Sequence, residues 1–284
     1  MPDPEATAAA EPPKPAPWWL RLTDGFFAQV LSPLLRGFET FGLMVTLFGQ
    51  TCYWLVRRPF RVREYLTALD FVGVQSLSII LLVGLFTGAA FSLQTVSVFR
   101  MFAMESYIGS TVTIALCREL SPVLTALMVT ARAGSAMATE LGSMRITEQI
   151  DAMTTMAVSP VQYLVCPRVV ASVIVTPMLT MVFSISGVLG AYAVAVILME
   201  VDHGYFVSTT EWVVDAWDIT QGLIKAAIFG LILSVIGCEQ GFHAQGGAKG
   251  VGLATTRAVV YSCVAILMLD YFVSDILISI YGYE

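Results

Sequence analysis

From Phe71 to Phe99 the chain carries no charged residue. Coiled into a helix at about 1.5 Å per residue, that run is roughly 40 Å long, enough to cross a hydrocarbon core of ~30 Å with tilt or overhang. Apolar segments at 108–130, 169–199, 220–238 and 258–280 repeat the pattern. Only 13% of the 284 residues are charged and 57% are hydrophobic, against about 25% charged in soluble domains. The sequence therefore predicts an all-α integral membrane protein with five transmembrane helices. The net charge of −6 excludes little, because the charges segregate by side.

The first 17 residues are rich in Ala, Pro and Glu and lack an apolar core, so they read as a disordered tail rather than a signal peptide. Trp18 and Trp19 open an amphipathic segment through Arg36 that suits the headgroup boundary. Residues 40–56 are apolar but only about as long as the lower limit for a span. They are expected to form a membrane-embedded helix that enters and leaves on the cytoplasmic side; a true span is the alternative. The basic cluster Arg57, Arg58, Arg61 and Arg63 comes next. With that cluster inside, Arg132, Arg145 and Arg168 share one inner loop and Lys249 and Arg257 another. Glu200, Asp202, Glu211, Asp215 and Asp218 make the opposite side acidic. This bias predicts a cytoplasmic N-terminus and an outer C-terminus.

The polar stretch between Arg132 and Met153 interrupts the apolar runs. Met137, Leu141 and Met144 form one helical stripe; Ile146, Ile150, Met153 and Ala157 form a second, offset one. The pattern predicts two short amphipathic turns joined at Gly142–Ser143 and lying across the membrane surface. Glu140, Arg145, Glu148 and Asp151 are then left for a partner or for solvent.

Charges also occur where lipid is expected. Arg118 and Glu119 lie inside the second apolar segment, and a charge at mid-bilayer normally faces protein or water. Adjacent residues point about 100° apart on a helix, so a partner such as Asp270 on a neighbouring span is plausible for Arg118. The pair reads either as a gating network or as packing glue between spans. Arg100, Glu105 and Lys225 fall near the outer boundary, where Lys225 is expected to snorkel outward. Gly84 and Gly88 form a GxxxG, often a close helix contact or dimer face. Around it, apolar residues such as Leu82 and Leu85 either line an acyl-chain cavity or face bulk lipid; Leu82, Leu85 and, further on, Gln94 are the positions expected to meet phospholipid. Met181, at mid-depth of the third segment, is expected to matter less for lipid. The five cysteines are scattered, without metal-ligand spacing. GFHAQGGAKGVG is glycine-rich but is not a P-loop, so nucleotide hydrolysis by that route is excluded and tight turns are expected there. His203 and His243 fall in loops on opposite sides. A lipid-modifying enzyme would need a nucleophile or metal set within the spans, and only isolated Ser, Thr and Cys are present. A non-transporting membrane scaffold is the other alternative class.

Two blocks carry a family resemblance. RELSPVLTALMVTARAGSAMATELGSMRITEQIDAM, from Arg118 to Met153, resembles the signature region of the MlaE (YrbE) permeases of bacterial ABC-type phospholipid transport systems. GAKGVGLATTRAVVYS, from Gly247 to Ser262, resembles their second signature. The similarity runs from about Phe71 to near the C-terminus, making 71–280 a permease domain preceded by elbow helices within 18–63. The resemblance implies a homodimer in the bacterial inner membrane, served by a cytoplasmic ABC ATPase and an outer-side MCE-type lipid-binding protein. No nucleic acid partner is expected. It implies no cofactor in this chain, with ATP and Mg held by the ATPase. It makes the polar stretch a coupling helix, with Glu140, Arg145, Glu148 and Asp151 contacting the ATPase. It also places Glu105 and Lys225 near a phospholipid pocket, beside Arg100.

Overall fold

The computed structural model describes residues 41–55, 57 and 61–281. The chain divides into two compact units, Met1–Val45 and Thr46–Glu284. Of the first, only the opening of a helix at 41–45 is described; the spans all belong to the second. The expected tail (1–17) and amphipathic segment (18–36) lie outside the described residues. The 40–56 segment is represented by helix α1, residues 41–55, about 22 Å long at helical rise.

Among the described residues every element is helical. Among them, five stretches are long and apolar enough to cross a membrane: Val62–Met101, Glu105–Ile146, Val161–Leu198, Ala216–Phe242 and Gly247–Ile280. The five-span, all-α expectation matches, with longer spans than the apolar runs alone indicate.

The first span is two helices, α2 (Val62–Val72) and α3 (Val74–Met101), broken at Gly73. Arg132 joins the break: its guanidinium donates to the Phe71 carbonyl, to Gln75 Oε1 and, at 3.2 Å, to Ser76 Oγ. A helix break frees carbonyl groups that need donors away from water, and Arg132 supplies them. It is thus a structural clamp rather than a free loop cation.

The second span runs through α4 (Ile108–Ala115), a π-helical turn (Leu116–Leu120), α5 (Ser121–Val129), a second π-helical turn (Thr130–Gly134) and α6 (Ser135–Ile146). Here the structure corrects the sequence reading. The polar stretch continues the span as helix to Ile146, with no break at Gly142–Ser143. Gly142 lies within the helix at a close approach, where a Cβ would stand 3.2 Å from Ala244 Cβ and 3.4 Å from Val251 Cγ1. The chain turns instead at Glu148, with φ 58°, before α7 (Gln149–Thr155).

The third span contains a π-helical turn (Val161–Val165), α8 (Cys166–Tyr192) and a further π-helical turn (Ala193–Leu198). The GxxxG serves this helix. A Cβ on Gly88 would lie 1.8 Å from the Gly187 carbonyl oxygen, and one on Gly84 2.2 Å from Ser186 Oγ. The small residues therefore bring α3 against α8 within one chain, and Ser92 Oγ adds a 3.0 Å hydrogen bond to the Ala191 carbonyl.

The acidic segment after α8 folds as α9 (His203–Val213), N-capped by Asp202, whose carboxylate accepts from the Tyr205 amide at 3.1 Å. It rests on α4 at Gly109, where a Cβ would come within 2.5 Å of the Phe206 carbonyl oxygen. Helices α10 (Ala216–Phe242) and α11 (Gly247–Tyr281) complete the bundle. The turn between them uses Gly246 and Gly247 at φ +89° and +70°, the left-handed region that glycine enters without strain. The core, including Val112, Leu116, Ala126, Phe183, Phe229 and Leu233, sits between the spans.

Candidate functional site

The site begins with one close approach. Gly222 lets α10 touch the π-helical turn of the second span: a Cβ there would lie 2.2 Å from the Cys117 carbonyl oxygen. Asp218 and Lys225 stand four residues before Gly222 and three after it, on the same face of α10. Arg118 and Glu119 occupy the widened turn opposite, at Leu116–Leu120. Backbone contact at a glycine thus brings two anion–cation pairs into register.

Arg118 Nε donates to Asp218 Oδ1 at 2.6 Å, and a second guanidinium nitrogen contacts the same oxygen. Asp218 is also one half of a capping box: its other oxygen accepts from the Asp215 amide at 3.0 Å. Lys225 Nζ donates to Glu119 Oε2 at 2.6 Å. On its other side it lies 3.2 Å from Asp270 Oδ1 of α11, an ionic contact without hydrogen-bond geometry. The ladder therefore ties the second span, α10 and α11 together.

Burial is uneven along it. Lys225 and Asp218 are 1% exposed, whereas Arg118 and Glu119 are 43% and 48% exposed. Buried charges persist only when paired, and removing one partner strands the other. The exposed edges of Arg118 and Glu119, of opposite sign and adjacent in sequence, offer a zwitterionic patch part-way along a span. Such groups face water or polar ligand, since hydrocarbon does not solvate them.

Two expectations are corrected here. Lys225 is not an outer-boundary residue that snorkels outward; it lies about 13 Å along α10 from Ala216 by helical rise and is buried. Asp270 is the partner of Lys225, not of Arg118. Arg100 and Glu105 pair with each other at 3.2 Å, and Arg100 also donates to the Met199 carbonyl, so they form a separate cluster without Lys225. Asp218, placed by the sequence reading in an acidic outer loop, is the residue that reading missed. The D-x-x-D spacing ahead of an apolar run was the available signal, because a capping box marks a helix start.

Apolar surface is available on two spans. Leu82, Leu85 and Gln94 are exposed on α3. Met181, expected to matter less, lines a cavity of about 300 Å³ with Ile185, Leu189, Ile219, Leu223 and Thr113. Thr113 Oγ1 is buried without a partner among the described residues. The third span thus offers an apolar recess that composition did not distinguish from plain lipid-facing surface.

The expected coupling residues are largely engaged within the chain. Arg145 donates to Asp151 Oδ1 at 2.5 Å, and Glu140 pairs with Arg168 of α8 at 2.8 Å. Glu148 is exposed. Met137, Ala138 and Leu141 are buried, and α6 packs on α10 at Gly241, where a Cβ would meet Leu141 Cβ at 2.8 Å. Thr139 Oγ1 and Thr255 Oγ1, 2.8 Å apart, join α6 to α11. At the end of α10, His243 Nδ1 lies 3.2 Å from Glu239 Oε1. The hydrogen bond to Glu239 raises the imidazole above the usual histidine range, against an opposing contribution from burial.

The MlaE permease family matches residues 65–276, a span that includes the charge ladder and α6. The chain belongs to this family. It is 40% identical over 236 residues to the intermembrane phospholipid transport system permease protein MlaE of Haemophilus influenzae, covering 81% of this chain and 88% of that one. A probable ABC transporter permease protein of Rickettsia prowazekii is 38% identical over 226 residues, covering 80% and 87%. The chloroplastic protein trigalactosyldiacylglycerol 1 of Arabidopsis thaliana is 36% identical over 235 residues, covering 82% and 67%. The chain is therefore an all-α integral membrane permease of the MlaE type.

Proposed function

We propose that this MlaE-family permease is the membrane subunit of an ATP-driven phospholipid transporter. It works as a homodimer in the bacterial inner membrane, with its N-terminus in the cytoplasm. An ABC ATPase docks on the cytoplasmic side and holds ATP and Mg; an MCE-type protein receives or supplies lipid on the outer side. The observation that carries the reading is the half-open charge ladder, in which Lys225, 1% exposed, holds Glu119 while Glu119 and Arg118 keep exposed edges. A phospholipid headgroup presents a phosphate to Arg118 and, where it has an amine, a cation to Glu119. Its acyl chains lie on apolar surface such as Leu82 and Leu85 of α3.

Coupling follows from packing. Because α6 continues the second span, a force from the ATPase on Arg145, or on Glu148 at the turn that follows α6, reaches the Arg118–Glu119 turn along that helix. The Glu140–Arg168 pair and the Leu141–Gly241 contact carry the same displacement to α8 and α10.

The test is lipid transfer by the permease reconstituted in vesicles with its ATPase. Arg118→Gln combined with Asp218→Asn, which removes both charges of the pair and strands neither, is expected to impair ATP-dependent transfer while complex assembly stays intact. Transfer at the wild-type rate in that variant overturns the site. Assembly without any ATP-dependent transfer by the wild type indicates a scaffold instead. Charge reversal at Glu148 is expected to weaken ATPase pull-down and leave membrane insertion unchanged.

A further inference from the structure

We propose a second anion site, separate from the charge ladder, for the phosphodiester of a membrane phospholipid headgroup, in the cavity that Arg57 and the start of α2 form with the π-helical turn Val161–Val165. Arg57, Arg61, Tyr65, Ser159, Gln162 and Tyr163 line it, with Glu64 on the same wall.

Both arginines are positioned without being neutralised. The Arg57 guanidinium lies over the Tyr53 ring, 4.4 Å from its centroid, and that of Arg61 lies over the Tyr163 ring at 4.8 Å. Gln162 Nε2 donates to the Arg57 carbonyl at 3.2 Å, holding Arg57 beside the π-helical turn. Among the described residues no carboxylate comes within 4.0 Å of either guanidinium, although other arginines on the chain form such pairs. A cation–π contact holds a guanidinium without a carboxylate partner, and the five N–H donors of an arginine exceed what one ring can engage, so donors remain for an oxyanion. Two such guanidinium groups at one cavity supply donors for phosphate oxygens.

Size and charge narrow the ligand. The cavity is about 30 Å³, room for roughly two water-sized atoms, so it takes the oxygens of a headgroup and no acyl chain. Among the described residues the lining carries two arginines against the single carboxylate of Glu64, a net positive charge that suits the anionic phosphodiester of a headgroup. The flanking Arg63, with Arg57 and Arg61, makes this the kind of juxtamembrane basic cluster that concentrates anionic lipid. The site does not depend on the transport reading, because it lies on other elements.

The experiment uses the full chain in detergent and a short-chain phosphatidylglycerol with a photoreactive headgroup, scoring label in the Ser159–Tyr163 segment only. Label on the mid-span ladder therefore does not count. The wild type is expected to be labelled there saturably, and a diacylglycerol bearing the same reactive group is not expected to label it. Arg61→Gln is expected to weaken labelling about fivefold, the factor one basic side chain contributes near an anionic headgroup. Arg63→Gln, which loses the same charge outside the cavity, stays near wild type. Tyr163→Leu, which keeps every charge but removes the ring beneath Arg61, weakens labelling as Arg61→Gln does. Equal loss in Arg63→Gln and Arg61→Gln, or no loss in Arg57→Gln/Arg61→Gln, overturns the site. Displacement of the probe by millimolar inorganic phosphate overturns the lipid assignment in favour of a soluble anion.

Discussion

The helices α10 and α11 are adjacent in sequence, joined by a glycine turn, and matched in mean hydropathy at 1.9 and 2.0 over their most apolar windows. Yet 56% of that window is buried in α10 and 11% in α11. Apolarity does not explain the difference. Helix α10 carries glycines where neighbours press closest: Gly222 on the Cys117 carbonyl, Gly230 on that of Ser172, and Gly241 on Leu141. It also carries Lys225, which only a packed position with two carboxylates tolerates. In α11, Leu267, Met268, Tyr271 and Phe272 stand more than half exposed. In a bilayer the hydrophobic effect does not choose which apolar face packs inward; small residues and polar partners do.

The largest test of this contrast is Lys225→Met. It leaves Asp270 and Glu119 without their cation, and stranding a buried charge costs about 3–5 kcal/mol, less here to the extent that Glu119 is half exposed. A marked loss of thermal stability in detergent is expected, with partial recovery on adding Asp270→Asn. A variant as stable as the wild type would mean that the ladder is not structural, and the ranking of the two helices would rest on the glycines alone.

Next in size is a pair of glycine substitutions. Gly222→Val drives a side chain into the Cys117 carbonyl and is expected to destabilise by about 1–3 kcal/mol. At Gly252 of α11 a Cβ would meet nothing within 4 Å. Gly252→Ala should be neutral, or stabilising by up to ~1 kcal/mol through helix propensity. Thermal unfolding of the two variants side by side checks both signs.

A photocrosslinker then separates exposure from packing. At Met268 of α11, 63% exposed, it is expected to capture phospholipid or a second copy of the chain. At Leu233 of α10, 0% exposed, it should label only its own chain. On the same logic Met181, which lines the recess on the third span, should capture lipid no more weakly than Leu82. A clean result at Leu233 together with silence at Met268 would show that something else covers α11.

The smallest effect lies at the end of α10. His243 has its pKa raised chiefly by the hydrogen bond to Glu239. A raised folded-state pKa stabilises fully below the unfolded value of about 6.5 and is lost as pH rises through the folded value. Thermal stability should therefore fall slightly across that window, and His243→Gln should flatten the profile. The imidazole is half exposed, so solvent screening keeps the change modest.

Much of the fold was legible because lipid imposes a one-dimensional rule: about 20 apolar residues per crossing. The uncharged run from Phe71 to Phe99, the four later runs and the signature blocks determined an all-α, five-span permease of this family. The glycine-rich segment near Gly246 likewise read correctly as a turn, since positive φ is a local property. What depended on neighbours was not legible. The break expected at Gly142 is found at Glu148, and Gly142 instead serves a close approach to Ala244 and Val251. The GxxxG at Gly84 and Gly88 turned to α8 of the same chain, a choice that motif spacing does not encode. Lys225 looked like a boundary residue because its place in the run put it near one end. Only the approach of α10 to the Leu116–Leu120 turn at Gly222 showed it buried between Glu119 and Asp270. The periodicity of a chain specifies which segments are helices; which charges meet is decided by contacts between helices far apart in sequence.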